Sequence, residues 1–563
     1  MQRLELTWIG KEEQPQVEPR ILLHDPSKDY GDPNAKNMLI HGDNLLALKA
    51  LEQQFAGQVK CIYIDPPYNT GAAFEYYDDN LEHSTWLKLM HSRLQILRNL
   101  LSDDGFFCVQ IDDSEGHYLK VMLDELFGRN NYLTTFYIQV RYPNKTLAED
   151  SDYQKIIEQC HVYAKQRNMA KLNRPQVDYD IGKFKWRVIE KEAGEVVTLG
   201  NKRVEIFKPD QYEIEEIDPC LTGLKETWAT GSLTRVRASA GEFFELYLAE
   251  RKEMDGLGCL YKVEGIGEDG LGYRYISGPK KATANKGKFY SGIPLKRLEE
   301  LKTGKSVKYL PVSNFYDFAG AFGNCRLEGA ADFKGGKKPE VLIETILTYF
   351  TNPGDLVLDS FLGSGTTAAV AHKMGRQYIG IELGEHCYSL CKPRLDRLID
   401  GKDKNGITAS TNWQGGGGYK FYELAPTLIV KDKYGNPVFS EQYNPTMLAA
   451  AVAKINGFTY APSQDTYWKQ GYSQDNSYIY VTTQYLTAKM LDEIAADVDA
   501  FENLLICAPA FDNGLSKRYD NINVRKIPLS VLQKCEFGVK DYNLNIIDPP
   551  EFDEEEWEDE EDA

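Results

Sequence analysis

Apolar positions in the first third of the chain follow two rhythms: short unbroken runs that stop at acidic or glycine-containing turns, and longer stretches repeating every three to four residues. The runs predict buried strands and the repeats predict amphipathic helices. Residues 37–41 read as a strand, Gly42-Asp43-Asn44 as a turn with a cap, and 45–54 as the helix it opens. A second strand, Cys61-Ile62-Tyr63-Ile64, halts at Asp65-Pro66-Pro67-Tyr68. Phe74, Tyr76 and Tyr77 beyond it read as core or as pocket lining. Leu87, Met90, Leu94, Leu97 and Leu101 repeat at helical spacing behind Ser84, and a strand over 105–111 follows. The acids beside it, Asp103-Asp104 and Asp112-Asp113, read as solvated loop and capping residues. A helix over 118–127 and strands over 132–140 and 158–165 complete this block, whose alternation predicts an open α/β sheet.

Periodicity becomes irregular from 169 to 330, with short strand-like pieces, glycines and aromatics. Regularity returns with Lys337-Lys338-Pro339 and a helix over 341–351. A strand ending at Asp359, the turn Phe361-Leu362-Gly363-Ser364-Gly365-Thr366, a helix over 368–374 and a strand over 376–382 follow. A helix over 387–399 and a glycine-rich loop around Trp413 close the block. Past 424, strands over 478–483, 503–509 and 522–527 and a helix over 487–498 predict a separate small α/β domain.

Two of these turns carry chemistry. Ligands of open α/β sheets bind beyond the carboxyl ends of the strands. Pro66 and Pro67 forbid the chain from continuing as ladder or helix, which fixes Asp65 and Tyr68 in such a crevice. A carboxylate, a free carbonyl and an aromatic face suit a flat base bearing an exocyclic amino group. Asp65 and the Pro66 carbonyl accept its two N–H bonds and aim its lone pair at an electrophile, while Tyr68 stacks on the ring. An ordinary Pro-Pro turn is the plainer alternative. Glu382 stands about 20 residues beyond the glycine turn, the offset at which a Rossmann unit holds ribose hydroxyls. Where a dinucleotide fingerprint has its third glycine this chain has Thr366, Thr367 and Ala368, which favours a single nucleoside over a nicotinamide cofactor.

Together, DPPY followed by FLGSG resembles the amino-methyltransferases of DNA in their β-type motif order. The segments 37–48 and 84–113, the Lys337-Lys338-Pro339 run, and Trp413-Gln414 with its four glycines resemble modification subunits of type III restriction systems and their solitary relatives. The resemblance implies a Rossmann-like S-adenosylmethionine-dependent methyltransferase fold with permuted motifs. It covers a catalytic half (36–168) and a cofactor half (331–424), with a target-recognition domain (169–330) between them; the residues themselves add an N-terminal extension (1–35), a C-terminal α/β domain (425–548) and an acidic tail (549–563). It places S-adenosyl-L-methionine near Asp43, against Lys338 and Pro339, beside Phe361, and along Asp359, Gly363, Ser364, Gly365 and Thr366, with Glu382 on its ribose. It implies methylation of adenine N6 on a flipped base in double-stranded DNA. Cytosine N4 is the alternative, because the leading aspartate resembles adenine enzymes more. Direct attack needs neither a cysteine nucleophile nor a metal. A homodimer and a separate restriction or defence subunit are the implied protein partners. An inactive DNA-binding subunit and an RNA or protein amino-methyltransferase are the rival readings.

A net charge of −19 looks wrong for a DNA-binding chain. Its distribution removes most of the objection, since the last thirteen residues hold ten acids and no base. Between Leu271 and Leu310, ten Lys and Arg face two glutamates. Arg235, Arg237, Arg274, Lys280, Lys281, Lys286 and Lys288, with Trp228, are the candidate DNA contacts. Gly304-Lys305-Ser306 only mimics a P-loop, because Glu299 stands where its first glycine belongs. Scattered cysteines without a CxxC pair, and no leader or membrane-length apolar run, predict a cytoplasmic protein, which the resemblance implies is bacterial and DNA-associated.

Overall fold

Six parallel strands, buried in the middle of an eleven-stranded sheet, set the frame of the protein. The computed structural model describes residues 5–8, 11, 17–69, 83–144, 153–228, 239–284, 287–304, 306–333, 336–474, 476–528 and 531. It divides into two compact units, residues 174–312 and the remainder.

In the larger unit the elements are β1 (Leu22–His24), β2 (Tyr30–Gly31), β3 (Met38–His41), α1 (Asn44–Phe55), β4 (Val59–Ile64), α2 (His83–Leu100), β5 (Leu101–Ile111), α3 (Gly116–Leu123), β6 (Tyr132–Gln139) and β7 (Ile157–Ala164). After the inserted unit come β8 (Phe315–Asp317), α4 (Glu340–Phe350), β9 (Leu356–Asp359), α5 (Thr366–Lys373), β10 (Gln377–Glu382), α6 (Lys392–Ile399) and β11 (Gly418–Leu424). The sheet order is β1-β11-β3-β10-β9-β4-β5-β7-β6-β8, with β2 also on β11. From β11 to β5 every neighbour is parallel, and β7 then runs antiparallel.

Strand succession reverses between β9 and β4. Chain order runs outward to β5 on one side and to β10 on the other, so a crevice opens beyond the carboxyl ends of β4 and β9. The pairs Leu358–Ile62 and Val357–Cys61 bring the two motif turns side by side. Burial explains why β4 reads as continuously apolar. Leu48, Leu51, Met90 and Leu94 of α1 and α2 cover Ile62 and Ile64 on one face, and Phe350 of α4 meets Phe106 on the other at 4.7 Å.

Several expectations are corrected. Within the N-terminal extension, β1 and β2 pair with β11 and so extend the main sheet. The helix expected over 118–127 ends at Leu123 and continues as a π-turn, and Cys387–Cys391 is likewise a π-turn leading into α6. β5 begins at Leu101, so Asp103 and Asp104 lie within it. Asp112 is buried and pairs with Lys155 at 3.0 Å rather than standing in solvent.

Residues 459–526 form a five-stranded sheet whose strands Ser477–Val481, Asn503–Ala508 and Ile522–Lys526 are parallel, beside the helix Ala488–Asp497. The unit 174–312 is an eight-stranded antiparallel sheet covered by Phe243, Phe244 and Leu248. No helix among the described residues is long and apolar enough to cross a membrane.

Candidate active site

Asp65 leaves the buried end of β4, and its turn is held from three directions. Trp86, wholly buried in α2, donates its indole N–H to the Pro67 carbonyl at 2.8 Å. Lys338, just before α4, places Nζ 2.7 Å from Asp65 Oδ2, 3.9 Å from Glu158 Oε2 and 5.0 Å from the centre of the Tyr68 ring. The Tyr68 hydroxyl lies 2.8 Å from both Asp65 Oδ1 and Glu158 Oε2. That hydroxyl has one proton for two carboxylates. Behind them Gln110 Nε2 donates to the same Glu158 oxygen, and its carbonyl accepts from Tyr63 at 2.7 Å. The turn ends at Asn69, in the left-handed region at φ 58°, whose amide donates to Glu115 at 2.8 Å.

Electrostatics follow from this enclosure. Burial lifts Asp65 above the ordinary carboxylate range; Lys338 opposes the lift and Glu158 adds to it. Burial also works against the charge on Lys338, but Asp65 and Glu158 outweigh it and leave Lys338 above its usual value. Burial beside both carboxylates pushes the Tyr68 phenol far up, so it is a neutral donor.

The neighbouring turn after β9 is built from backbone. Asp359 accepts the Phe361 N–H at 2.9 Å and the Thr367 hydroxyl at 2.6 Å. Burial pushes Asp359 up to about 7, with those bonds opposing and Asp65 and Glu382 adding. Glu382 accepts from Gly363 N at 2.7 Å, Leu383 N at 2.9 Å and Gly384 N at 3.0 Å, and meets His386 Nε2 at 3.0 Å. Gly363 and Gly365 take φ of 55° and 80°, where a side chain is strained. A Cβ on Gly363 would meet nothing nearer than Phe333 at 3.9 Å, so space stands open above the turn.

The remaining residues singled out from sequence are scattered in role. Asp43 caps α1 through Leu46 N–H at 3.0 Å and lies 3.7 Å from the buried Arg93. Pro339 caps α4, and Phe361 is buried. Ser364 and Thr366 turn to Arg394, which bonds the Ser364 carbonyl at 3.1 Å and the Thr366 hydroxyl at 2.8 Å while pairing with Glu340 at 2.8 Å. In the inserted unit Lys280 and Lys281 are exposed, whereas Arg274 pairs with Asp269 at 3.3 Å. Lys288 pairs with Glu226 at 2.6 Å and sits 4.5 Å over the exposed Trp228. Phe74, Tyr76, Tyr77, Arg235, Arg237, Lys286, Lys305 and the acidic tail lie outside the described residues. No group of three or more His, Cys, Asp or Glu that could hold a metal occurs among the described residues.

Glu158, Gln110 and Trp86 are the site residues that sequence reading missed. One signal for Glu158 existed: a charged residue opening an apolar run lands at the carboxyl edge of the parallel strands if its own strand runs antiparallel, as β7 does.

A family model described as DNA methylase matches residues 59–393. The chain is 34% identical over 422 residues to the probable type III restriction-modification enzyme HindVI Mod subunit of Haemophilus influenzae, covering 70% of this chain and 54% of that one. It is 27% identical over 439 residues to the type III restriction-modification enzyme EcoPI Mod subunit of Escherichia phage P1, covering 65% and 60%. Identity to the type III EcoP15I Mod subunit of Escherichia coli is 25% over 491 residues, covering 76% and 72%. Against the first two, therefore, the chain spans only 54% and 60% of the relative's length.

Proposed function

The chain belongs to the DNA methylase family, and we propose that it moves the methyl group of S-adenosylmethionine to the N6 amino group of a flipped adenine at a specific site in duplex DNA. The observation that carries this reading is the pairing of β4 with β9, which sets the Asp65–Tyr68 turn beside the Asp359–Thr366 turn at one edge of the sheet. One turn has the groups to hold an amino nitrogen, and the other has the space and carboxylate to hold a nucleoside.

The residues present fit that cofactor. Glu382 stands at the end of β10 held by three backbone amides, the space over Gly363 admits close approach, and the buried Ser360 hydroxyl has no partner among the described residues. The bound cofactor would supply an electrophilic methyl on a sulfonium. The protein's part is orientation. Asp65 and the Pro66 carbonyl accept the amino hydrogens and localise the lone pair on nitrogen, Lys338 opposes the rise that burial imposes on the Asp65 pKa, and Tyr68 offers its ring to the flipped base. The basic residues of the inserted unit, Lys280 and Lys281 among them, would contact DNA, and the names of the relatives support modification within a restriction system that includes a separate restriction subunit.

Single-molecule sequencing of DNA from a methylation-free host expressing this chain tests the proposal, with Asp65→Ala as control. N6-methyladenine at one defined motif, present only with the intact chain, is the expected result. N4-methylcytosine would correct the base, and unmodified DNA would refute the reading.

A further inference from the structure

We infer that Glu158 is the outlet for the proton released by methyl transfer, reached through the Tyr68 hydroxyl. The inference rests on the methyl-transfer reading above and adds a residue and a route to it. Its basis is geometric: the Tyr68 hydroxyl oxygen, which carries one proton, lies 2.8 Å from each of two carboxylates, Asp65 in the catalytic turn and Glu158 at the start of β7. Lys338 makes the pair unequal, standing 2.7 Å from Asp65 and 3.9 Å from Glu158. The closer cation favours the anion at Asp65, so a proton shared along the line is driven toward Glu158. Gln110 fixes Glu158 in place, and 17% of the Glu158 side chain remains open to hand the proton onward.

The balance closes without another reactant. The amino lone pair forms the N–CH3 bond as the S–CH3 bond breaks, and that electron pair stays on sulfur as a neutral thioether. The nitrogen, now cationic, gives a proton to Asp65. Asp65 passes it to the Tyr68 oxygen as the original phenolic proton moves to Glu158, which restores both the phenol and the Asp65 carboxylate. Glu158 then releases the proton to water. Glu158 acts through Tyr68 and is a positioning and proton-accepting residue rather than one that touches the base. The ionisable groups facing it are Asp65 and Tyr68 from the turn, Tyr63 from β4 and Lys338 from the segment before α4.

Glu158→Gln separates this role from simple packing, because the amide still accepts a hydrogen bond from Tyr68 but takes no proton. Single-turnover methyl transfer by the full chain on duplex DNA is expected to fall on the order of 10²-fold in Glu158→Gln. Glu158→Asp should recover part of the loss, cofactor affinity by calorimetry should stay unchanged, and the acid limb of the rate–pH profile should be displaced. In the ligand-free chain, the infrared spectrum should contain a carboxylate band that Glu158→Gln removes and Tyr68→Phe shifts. A wild-type rate in Glu158→Gln, or a band that ignores Tyr68→Phe, overturns the relay while leaving methyl transfer intact. An intact chain that moves no methyl group onto DNA overturns the reading of function and the relay with it.

Discussion

The turn after β4 and the turn after β9 lie side by side at the same sheet edge, yet they are held in different ways. Asp65–Tyr68 is braced by side chains from α2, from the start of β7 and from the segment before α4. The glycine turn is braced by its own backbone amides meeting Asp359 and Glu382, the carboxylates that end β9 and β10, with Arg394 holding its Ser364 carbonyl. Local amide donors make a rigid cradle of fixed shape, suited to a ligand that is the same in every turnover. Side chains converging from distant elements can set charge and protonation, which a reacting nitrogen needs. If that contrast is right, damage to the first turn strikes the chemical step and damage to the second strikes cofactor affinity or stability.

The strongest attempt to break the contrast is Asp65→Ala. Methyl transfer should fall on the order of 10³-fold while calorimetric cofactor affinity stays within about threefold; a matching loss of affinity would merge the two turns into one functional unit. Lys338→Met comes next, with a loss on the order of 10²-fold near neutral pH. Removing the cation raises the Asp65 pKa further, so the acid limb of the rate–pH profile should move to higher pH and the defect should shrink in alkaline buffer. Gly363→Ala tests the other side: its Cβ meets no described protein atom nearer than 3.9 Å but would stand in the space proposed for the cofactor, and the left-handed backbone costs folding about 1–2 kcal/mol. Cofactor Kd should rise about tenfold with the saturated rate preserved.

The smallest effect on turnover is expected from Asp359→Asn, whose signature is stability. Asp359 holds its proton more tightly folded than unfolded, with a folded pKa of about 7. Wild-type stability therefore declines as pH rises from the ordinary carboxylate range through about 7, whereas asparagine does not titrate. Urea unfolding across that window should show the variant gaining on the wild type by roughly 1–3 kcal/mol. A constant difference would mean that Asp359 is ionised throughout.

This comparison also explains what was legible from sequence. The glycine turn could be read because its parts are close neighbours: strand, Asp359, Gly363 and Glu382 follow one another, and spacing alone carries the geometry. DPPY could be read as far as its own four residues. Glu158 and Trp86 were not, because only the antiparallel direction of β7 and the docking of α2 bring them to the turn. The buried network of Arg394, Glu340, Lys373 and Asp403 was invisible for the same reason, since charged residues in a sequence read as solvated until packing places them together. The strands of the N-terminal extension were not legible, because short pieces such as β1 become strands only when an existing edge, here β11, supplies their hydrogen bonds.

The position of β9 also dictates an order of events during synthesis. Strand β4 emerges early, but its partner on one side, Leu356–Asp359, leaves the ribosome only after the whole 174–312 unit has been made. At typical elongation rates the nascent apolar strand waits for tens of seconds with an unpaired edge. Strand β3 waits longer, since both of its neighbours come from the end of the catalytic unit. A ribosome that stalls near residue 330 thus releases an open sheet rather than half an enzyme.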